Sequence, residues 1–254
     1  MLFSGAAPWF VPDTPFPRVP RVAVVAPHPD DFDVIAVTMR EVQRLGARLE
    51  VAVLTSGASG VEDAFFEHSR VATKRAVRER EQISSCAFFG LPAEQLHFLR
   101  LGEDAGGHIA GGAANDGVVR AFLSDLAPEL IFLPHGNDSN IDHQRTFAMV
   151  SRLLPAETSS AALFLNRDPK TIAMREDVYV LFDEETAEWK RALLRHHASQ
   201  QHRNLRSRGR GFDARILDGN ARVAVTAGRP GRYAEVFEVR EPRASAGRAR
   251  PSSC

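Results

Sequence analysis

Cysteine is nearly absent from this 254-residue chain, which holds only Cys86 and Cys254. Two thiols, one of them the last residue, make no metal-ligand spacing and give no disulfide framework. That scarcity suits a reducing compartment, so a cytoplasmic location is expected. Long apolar runs are missing too. No window approaches 18 consecutive apolar residues, so no transmembrane helix is read. Net charge is missing: 32 basic residues balance 32 acidic ones. No bulk field draws the chain to nucleic acid or to an anionic membrane, and a small-molecule partner is expected. No G-x-G-x-x-G follows any strand, which argues against a nucleotide-binding Rossmann domain. No internal repeat is present. Residues 1–20 carry Pro8, Pro12, Pro15, Pro17 and Pro20 and no basic residue before Arg18. They do not read as a signal peptide but as an extended arm laid over the domain.

What the chain does hold is organised around Val22–Asp33, V-A-V-V-A-P-H-P-D-D-F-D. The small and β-branched run reads as a buried parallel strand, because both of its faces tolerate hydrocarbon. Pro27 and Pro29 then stop it and fix the backbone around His28. An imidazole and the carboxylates of Asp30 and Asp31 are thus set at the carboxyl end of a central strand, where open α/β sheets bind ligands. Burying such a group is costly unless a positive charge neutralises it. A divalent metal answers that need.

The rest follows by periodicity. Val34–Leu45 is predicted as a helix with Gly46 at C′. Leu49–Thr55 is predicted as a strand, Ser56–Gly60 as a small-residue loop, and a long helical stretch runs to Phe89, ended by Gly90 and Pro92. Leu96–Leu99 is a short strand. Residues 102–117 hold six glycines, which predicts a mobile or closely approached loop. A helix is expected over Val118–Leu126, capped by Asn115 or Asp116, and a strand over Leu130–Leu133. This alternation predicts an α/β, Rossmann-like three-layer sandwich with a mostly parallel central sheet. If the strand order is 3-2-1-4, the loops after the first and fourth strands face each other across one crevice. Beyond them, Ile141–Leu154 reads as a helix, and Ala161–Leu165 and Val178–Phe182 as strands. Thr186–His197 reads as a helix capped by Asp183, and Arg203–Gly211 as a basic, glycine-broken segment. Val223–Thr226 and Tyr233–Val239 are predicted as closing strands of a small C-terminal β extension. Residues 21–240 are expected to form a single domain, and 241–254, without an apolar pattern, a disordered tail.

Two imidazoles and a carboxylate (His28, Asp31 and His143) with water in the fourth place are how a catalytic zinc site is built. Zn2+ is expected there, although the same donors suit Fe2+ or another divalent ion. Asp30 and Asp31 cannot both face one ion easily, which leaves Asp30 free as a base toward a metal-bound water. Hydrolysis of an amide or ester is the chemistry implied.

Several stretches together resemble the LmbE/PIG-L family of metal-dependent sugar N-deacetylases. P-H-P-D-D follows the first strand, and D-H (Asp142-His143) comes about a hundred residues later. Arg78 and Glu81 resemble the family's R-x-x-E before L-G. Phe98–Asp104, H-A-S-Q (His197–Gln200) and A-E-V-F (Ala234–Phe237) resemble its later motifs. The resemblance spans residues 20–240. It implies His28, Asp31 and His143 as metal ligands, Asp30 as general base and Asp104 as a contact to sugar hydroxyls. It also implies that Arg78 binds substrate or supports the site. The substrate it implies is an N-acylated amino sugar or N-acetylglucosaminyl conjugate.

Two positions depart from the family pattern. Phe32 stands where a Glu is usual. The second motif reads N-I-D-H, with Asn140 in place of the His thought to act as electrophile or proton donor. An amide donates a hydrogen bond but carries no proton or charge. Either His135 or Asn140 serves the oxyanion, or the chain is a metal- or carbohydrate-binding relative with weak or no hydrolase activity. Gly136–Asn140 are also simple turn formers, and Asp142 a simple helix cap. The run Arg203, Arg206, Arg208 and Arg210 reads as a solvated segment rather than a nucleic-acid surface. The sequence sets no oligomeric state, a homo-oligomer included.

Overall fold

A computed structural model describes residues 9–10, 19–67, 69–154 and 161–240. Its strands are β1 (Trp9–Phe10), β2 (Arg21–Ala26), β3 (Arg48–Val53), β4 (Leu96–Phe98), β5 (Leu130–Pro134), β6 (Ala162–Asn166), β7 (Val178–Phe182) and β8 (Tyr233–Arg240). Its helices are α1 (Asp31–Val34), α2 (Ala36–Arg44), α3 (Val71–Phe89), α4 (Ala113–Leu126), α5 (Ile141–Leu153), α6 (Glu184–Leu194), α7 (Ala198–Arg208) and α8 (Phe212–Thr226). One sheet runs in the order β1-β7-β8-β6-β5-β2-β3-β4. Strands β4, β3, β2, β5 and β6 are parallel neighbours, β8 is antiparallel to β6 and β7, and β1 is parallel to β7. The order of the first four predicted strands is therefore the expected 3-2-1-4. The C-terminal strands extend the same sheet.

The alternation in β2 sets the layers. Val22, Val24 and Ala26 pack into one apolar cluster with Met39, Val42, Leu194 and Ile216, from α2, α6 and α8. Ala23 and Val25 pack into another with Val119, Leu123, Met149 and Val150, from α4 and α5. Both faces are covered, so the strand reads as an unbroken apolar run. The inward stripe of α3 is polar instead: Arg78, Glu81, Gln82, Ser85 and Cys86 are its buried residues.

Some boundaries differ from expectation. Val223–Thr226 is not a strand but the last turn of α8, whose buried Ile216, Leu217, Asn220, Val223 and Ala224 recur at helical spacing. Four residues, three of them β-branched, cannot separate the two periods. The predicted 118–126 helix starts at Ala113, with Gly112 at its N-cap. Asn115 lies inside it and clamps the preceding loop, accepting from the Gly102 amide and donating to the Gly102 and Ala110 carbonyls. The 34–45 helix is broken at Ile35, and the basic segment is itself α7, ended by Gly209 at φ +67°. Asp183 caps α6 as expected, accepting from the Thr186 amide at 3.0 Å, and Gly46 stands at C′ of α2 with φ +96°. Among the described residues no helix is long and apolar enough to cross a membrane. Apart from the Trp9–Phe10 pairing and residues 19–20, the arm lies outside the described residues, as does the 241–254 tail.

One buried cluster ties the sheet to its helices. Lys190 Nζ donates to Glu235 Oε1 (2.6 Å), the Val34 carbonyl (2.6 Å) and Asn220 Oδ1 (3.0 Å). Glu235 also accepts from the Val37 and Thr38 amides at the start of α2. A carboxylate at a helix N-terminus is favoured by the dipole and the free amides there. The Glu of A-E-V-F thus fixes α2, and with it the loop after β2.

Candidate functional site

The β2–β5 pairing runs from Val22–Leu130 to Val24–Phe132 and brings the two following loops together. After Ala26 the first loop turns sharply. Asp30 takes φ +106°, a conformation that costs a non-glycine residue roughly 1–3 kcal/mol. Its amide is held by Gln82 Oε1 at 2.8 Å, and its carbonyl accepts from the Asp33 amide at 3.0 Å. Arg78 donates to the Pro29 carbonyl beside it. The polar stripe of α3 therefore imposes the turn.

His28, Asp31 and His143 converge. His28 Nδ1 lies 3.2 Å from Asp31 Oδ2, and His143 Nε2 lies 3.4 Å from Asp31 Oδ1. One donor atom from each falls within 4.8 Å of the others. The remaining ring nitrogens face carboxylates: His28 Nε2 is 3.0 Å from Asp142 Oδ2, and His143 Nδ1 is 3.3 Å from Asp138 Oδ2. His143 Nδ1 is buried without a hydrogen bond. Carboxylates behind imidazoles orient metal-binding histidines and raise their basicity.

The electrostatics ask for a cation. Burial works against the Asp31 anion, yet His143 and His28 hold its carboxyl well below the usual range. Burial also works against a charged His28, but hydrogen bonds to Asp142 and Asp31 push its pKa up to about 9. His143 is likewise pushed up, by Asp31 and Asp138 against its burial. The raised imidazoles and the lowered carboxylate show that positive charge is favoured among these donors. The donor types, their approach and their carboxylate backing fit a divalent metal.

Asp30 lies next to this group, with Oδ1 at 3.2 Å from Arg78 Nη2. Burial raises its pKa, opposed by the Arg78 guanidinium. Arg78 is only 2% exposed and also reaches Glu81 Oε2 at 3.3 Å. Glu81 in turn accepts from the Ser199 amide (2.6 Å) and hydroxyl (2.7 Å). The R-x-x-E and H-x-S-Q stretches are thereby one network behind Asp30. His197 is wholly buried, with Nε2 at 2.9 Å from Asp33 Oδ2. Phe32, the first departure, is a core residue packed edge-on to Phe89 at 5.0 Å.

A cavity of about 320 Å³ opens over these groups, lined by His28, Asp30, Asp31, Asn140 and His143 among others. The remaining expected site residues stand elsewhere. His135 does not line it. Its Nε2 is 3.2 Å from Glu238, its Nδ1 accepts from the Asn137 amide, and its ring stacks near Phe147. The structure thus places this expected electrophile between the sheet and α5, outside the cavity lining. Asp104 is not in the lining either. Oδ1 accepts from the Gly106 and His108 amides, and Oδ2 accepts from Arg145 at 2.6 Å. One oxygen thus shapes its own turn and the other pairs with Arg145 of α5. Arg78 lines the cavity but is spent on Asp30, Glu81 and Pro29. Asn140 caps α5, its Oδ1 accepting from the Asp142 amide at 3.1 Å. That use leaves Nδ2 as the donor Asn140 can offer.

Asp142 is not the cap. Its Oδ1 accepts from the Ile109 amide (2.8 Å), and Oδ2 meets both His28 Nε2 and His108 Nδ1 at 3.0 Å. These contacts hold its pKa below the usual range against burial. His108 is the residue that sequence reasoning missed. It comes from the glycine-rich loop, where a bridge between Glu103 and Ile109 presents it at the cavity. The only sequence signal was a histidine amid close-approach glycines.

Residues 23–154, just over half of the chain, match the family model described as PIG-L: GlcNAc-PI de-N-acetylase. Among solved structures, the N,N'-diacetylchitobiose deacetylase from Pyrococcus horikoshii is similar with a TM-score of 0.71 and 17% identity, over 91% of this chain and 87% of that one. GalB, the 4-carboxy-2-hydroxymuconate hydratase from Pseudomonas putida KT2440, gives a TM-score of 0.68 and 17% identity, over 90% and 99%. The zinc-inhibited form of teicoplanin deacetylase Orf2 gives a TM-score of 0.64 and 13% identity, over 88% and 99%. No curated protein matches the chain. At these identities the structural likeness is one of fold.

Proposed function

Because the chain belongs to the PIG-L family of GlcNAc-PI de-N-acetylases, we propose that it hydrolyses the N-acyl group, acetyl first, of an amino sugar or N-acetylglucosaminyl conjugate. The observation that carries this reading is the meeting of His28, Asp31 and His143 beside Asp30 at the floor of one cavity. The three would hold a divalent metal. Zinc is our first assignment, supported by the donor set, with ferrous iron the alternative. A bound metal would supply Lewis-acid polarisation of the amide carbonyl and a more acidic water.

This chain's own residues do the rest. Asp30 takes the proton of the attacking water. Arg78 orients it by holding Oδ1, which leaves Oδ2 to work. His108 takes the place of the imidazole missing at Asn140. Asp142 holds its Nδ1, so Nε2 faces the substrate and, in the protonated ring, donates to the carbonyl oxygen and then to the leaving amine. Asn140 Nδ2 adds a neutral donor. Residues 21–240 are the catalytic unit in this reading. A reducing, cytoplasmic setting agrees with Cys86, a buried free thiol.

The test is amine release from N-acetylglucosamine and its conjugates by the metal-loaded protein and by Asp30→Asn. The reading expects release from the wild type and about 100-fold less or lower from the variant. Equal release by both removes Asp30 from the mechanism. No release from any conjugate leaves a binding relative.

A further inference from the structure

The basic run of α7 divides into two sets. Arg206 and Arg210 meet carboxylates, Glu62 at 3.7 Å and Asp218 at 2.5 Å. Arg203 and Arg208 instead lie with Gln200, Asn204 and Ser207 on one helical stripe that lines the cavity. Arg215 of α8 stands on the same wall, its Nη1 donating to Asn204 Oδ1 at 2.5 Å. Arg203 donates to a neutral group, the Gly60 carbonyl at 3.3 Å. None of the three has an ion-pair partner among the described residues. Most other arginines do have one, among them Arg44, Arg75, Arg100, Arg152 and Arg195.

From these observations we propose that Arg203, Arg208 and Arg215 form an anion-binding wall, and that the ligand of this cavity carries a phosphate or carboxylate group remote from its amide. The substrate part of this rests on the deacetylase reading above; the anion site itself does not. The chain carries no net charge to explain a local excess of cations. The three guanidiniums stand without a direct ion pair and repel one another: burial, then Arg208 and Arg203, depress the Arg215 pKa, opposed by Asp168. A bound anion relieves that repulsion. Guanidinium forks match the planar carboxylate and the phosphate oxygens. Of the acids in the lining, Asp30, Asp31 and Asp142 lie at the catalytic end, and Asp168, with an oxygen within 4.8 Å of a His143 ring nitrogen, stands between that end and Arg215. The cavity is thus polarised along its length: acids and imidazoles where the acyl group would sit, cations where a charged substituent would. Its volume of about 320 Å³ suits one sugar with such a substituent.

The test is equilibrium binding of product-type amino sugars, which the enzyme cannot turn over. Glucosamine, glucosamine 6-phosphate and muramic acid are titrated calorimetrically into the metal-loaded wild type, Arg208→Gln/Arg215→Gln and Arg208→Lys/Arg215→Lys. The wall predicts that at least one anionic sugar binds about tenfold or more tightly than glucosamine, with the advantage falling as salt rises. The phosphate and carboxylate arms tell which anion is meant. The advantage shrinks to within about threefold in the Gln pair and is partly kept in the Lys pair, where charge remains but the fork is lost. Equal binding of all three sugars, no binding of any, or an advantage that survives in the Gln pair overturns the proposal. Amine release from N-acetylglucosamine is scored in parallel. Its absence removes the deacetylase reading and leaves the binding ratios to decide the wall.

Discussion

His28 and His108 share one oxygen: each ring nitrogen stands 3.0 Å from Asp142 Oδ2. A single carboxylate thus backs a candidate metal ligand and the one cavity-facing imidazole from the glycine-rich loop. Asp142 thereby joins the two halves of the proposed chemistry, and His108 explains how Asn140 can be tolerated.

His108→Ala is expected to lower kcat roughly 100-fold with a much smaller change in KM, the size of a lost general acid. Metal content stays as in the wild type, because His28 keeps its Asp142 contact. Adding Asn140→His to His108→Ala should restore part of the lost turnover. Steady-state kinetics of the three variants check this. A kcat unchanged in His108→Ala assigns the role elsewhere.

Arg78→Met removes the guanidinium between the half-buried carboxylate of Asp30 and the buried one of Glu81. Removing one partner from such a cluster costs about 3–5 kcal/mol. Chemical denaturation should show that loss, together with a fall in kcat as Asp30 loses its orientation. A variant as stable as the wild type would mean that the guanidinium barely offsets its own burial.

Lys190→Met tests the brace behind the loop. Glu235 would keep the Val37 and Thr38 amides but lose its cation at 2.6 Å. A loss of about 3 kcal/mol or more is expected in the same assay. Paired replacement with Glu235→Leu should recover much of it if the charge alone matters, and little if the amides of α2 need the carboxylate.

The metal-free protein has a defined pH response. The folded His28 pKa is raised to about 9 from an ordinary 6.5. Its contribution is therefore fully present below pH 6.5 and is lost as pH rises through 9. His28 alone should cost the chelated protein on the order of 3 kcal/mol across that window, and His143, also raised, adds loss in the same direction. Metal loading should flatten the profile, because the bound cation replaces the proton. Melting temperatures across the window, with and without chelator, decide it.

The parallel half of the fold was legible because β2 and β5 are unbroken apolar runs ended by Pro-His, a pattern only a doubly covered strand needs. The register that makes the loops after them face each other follows from that order. The 223–226 segment misleads because four residues cannot show a period; Ile216, Leu217 and Asn220 supply it. Asp104 occupies a motif position but spends one oxygen on its own turn and the other on Arg145 of α5, which spacing does not reveal. The His108–Asp142 link spans 34 residues between a loop and a helix, and nothing local encodes it. His135 was attractive for its place after β5. Its ring is drawn off by Glu238 of β8, a strand more than a hundred positions away in the chain.

If His28, Asp31 and His143 hold a metal, metal content per chain measures it most directly. Elemental analysis of the dialysed wild type should find about one equivalent of a divalent metal, and Asp31→Ala and His143→Ala close to none. Equal metal in all three proteins, or a wild type that takes up none when titrated with zinc or ferrous iron, contradicts the account.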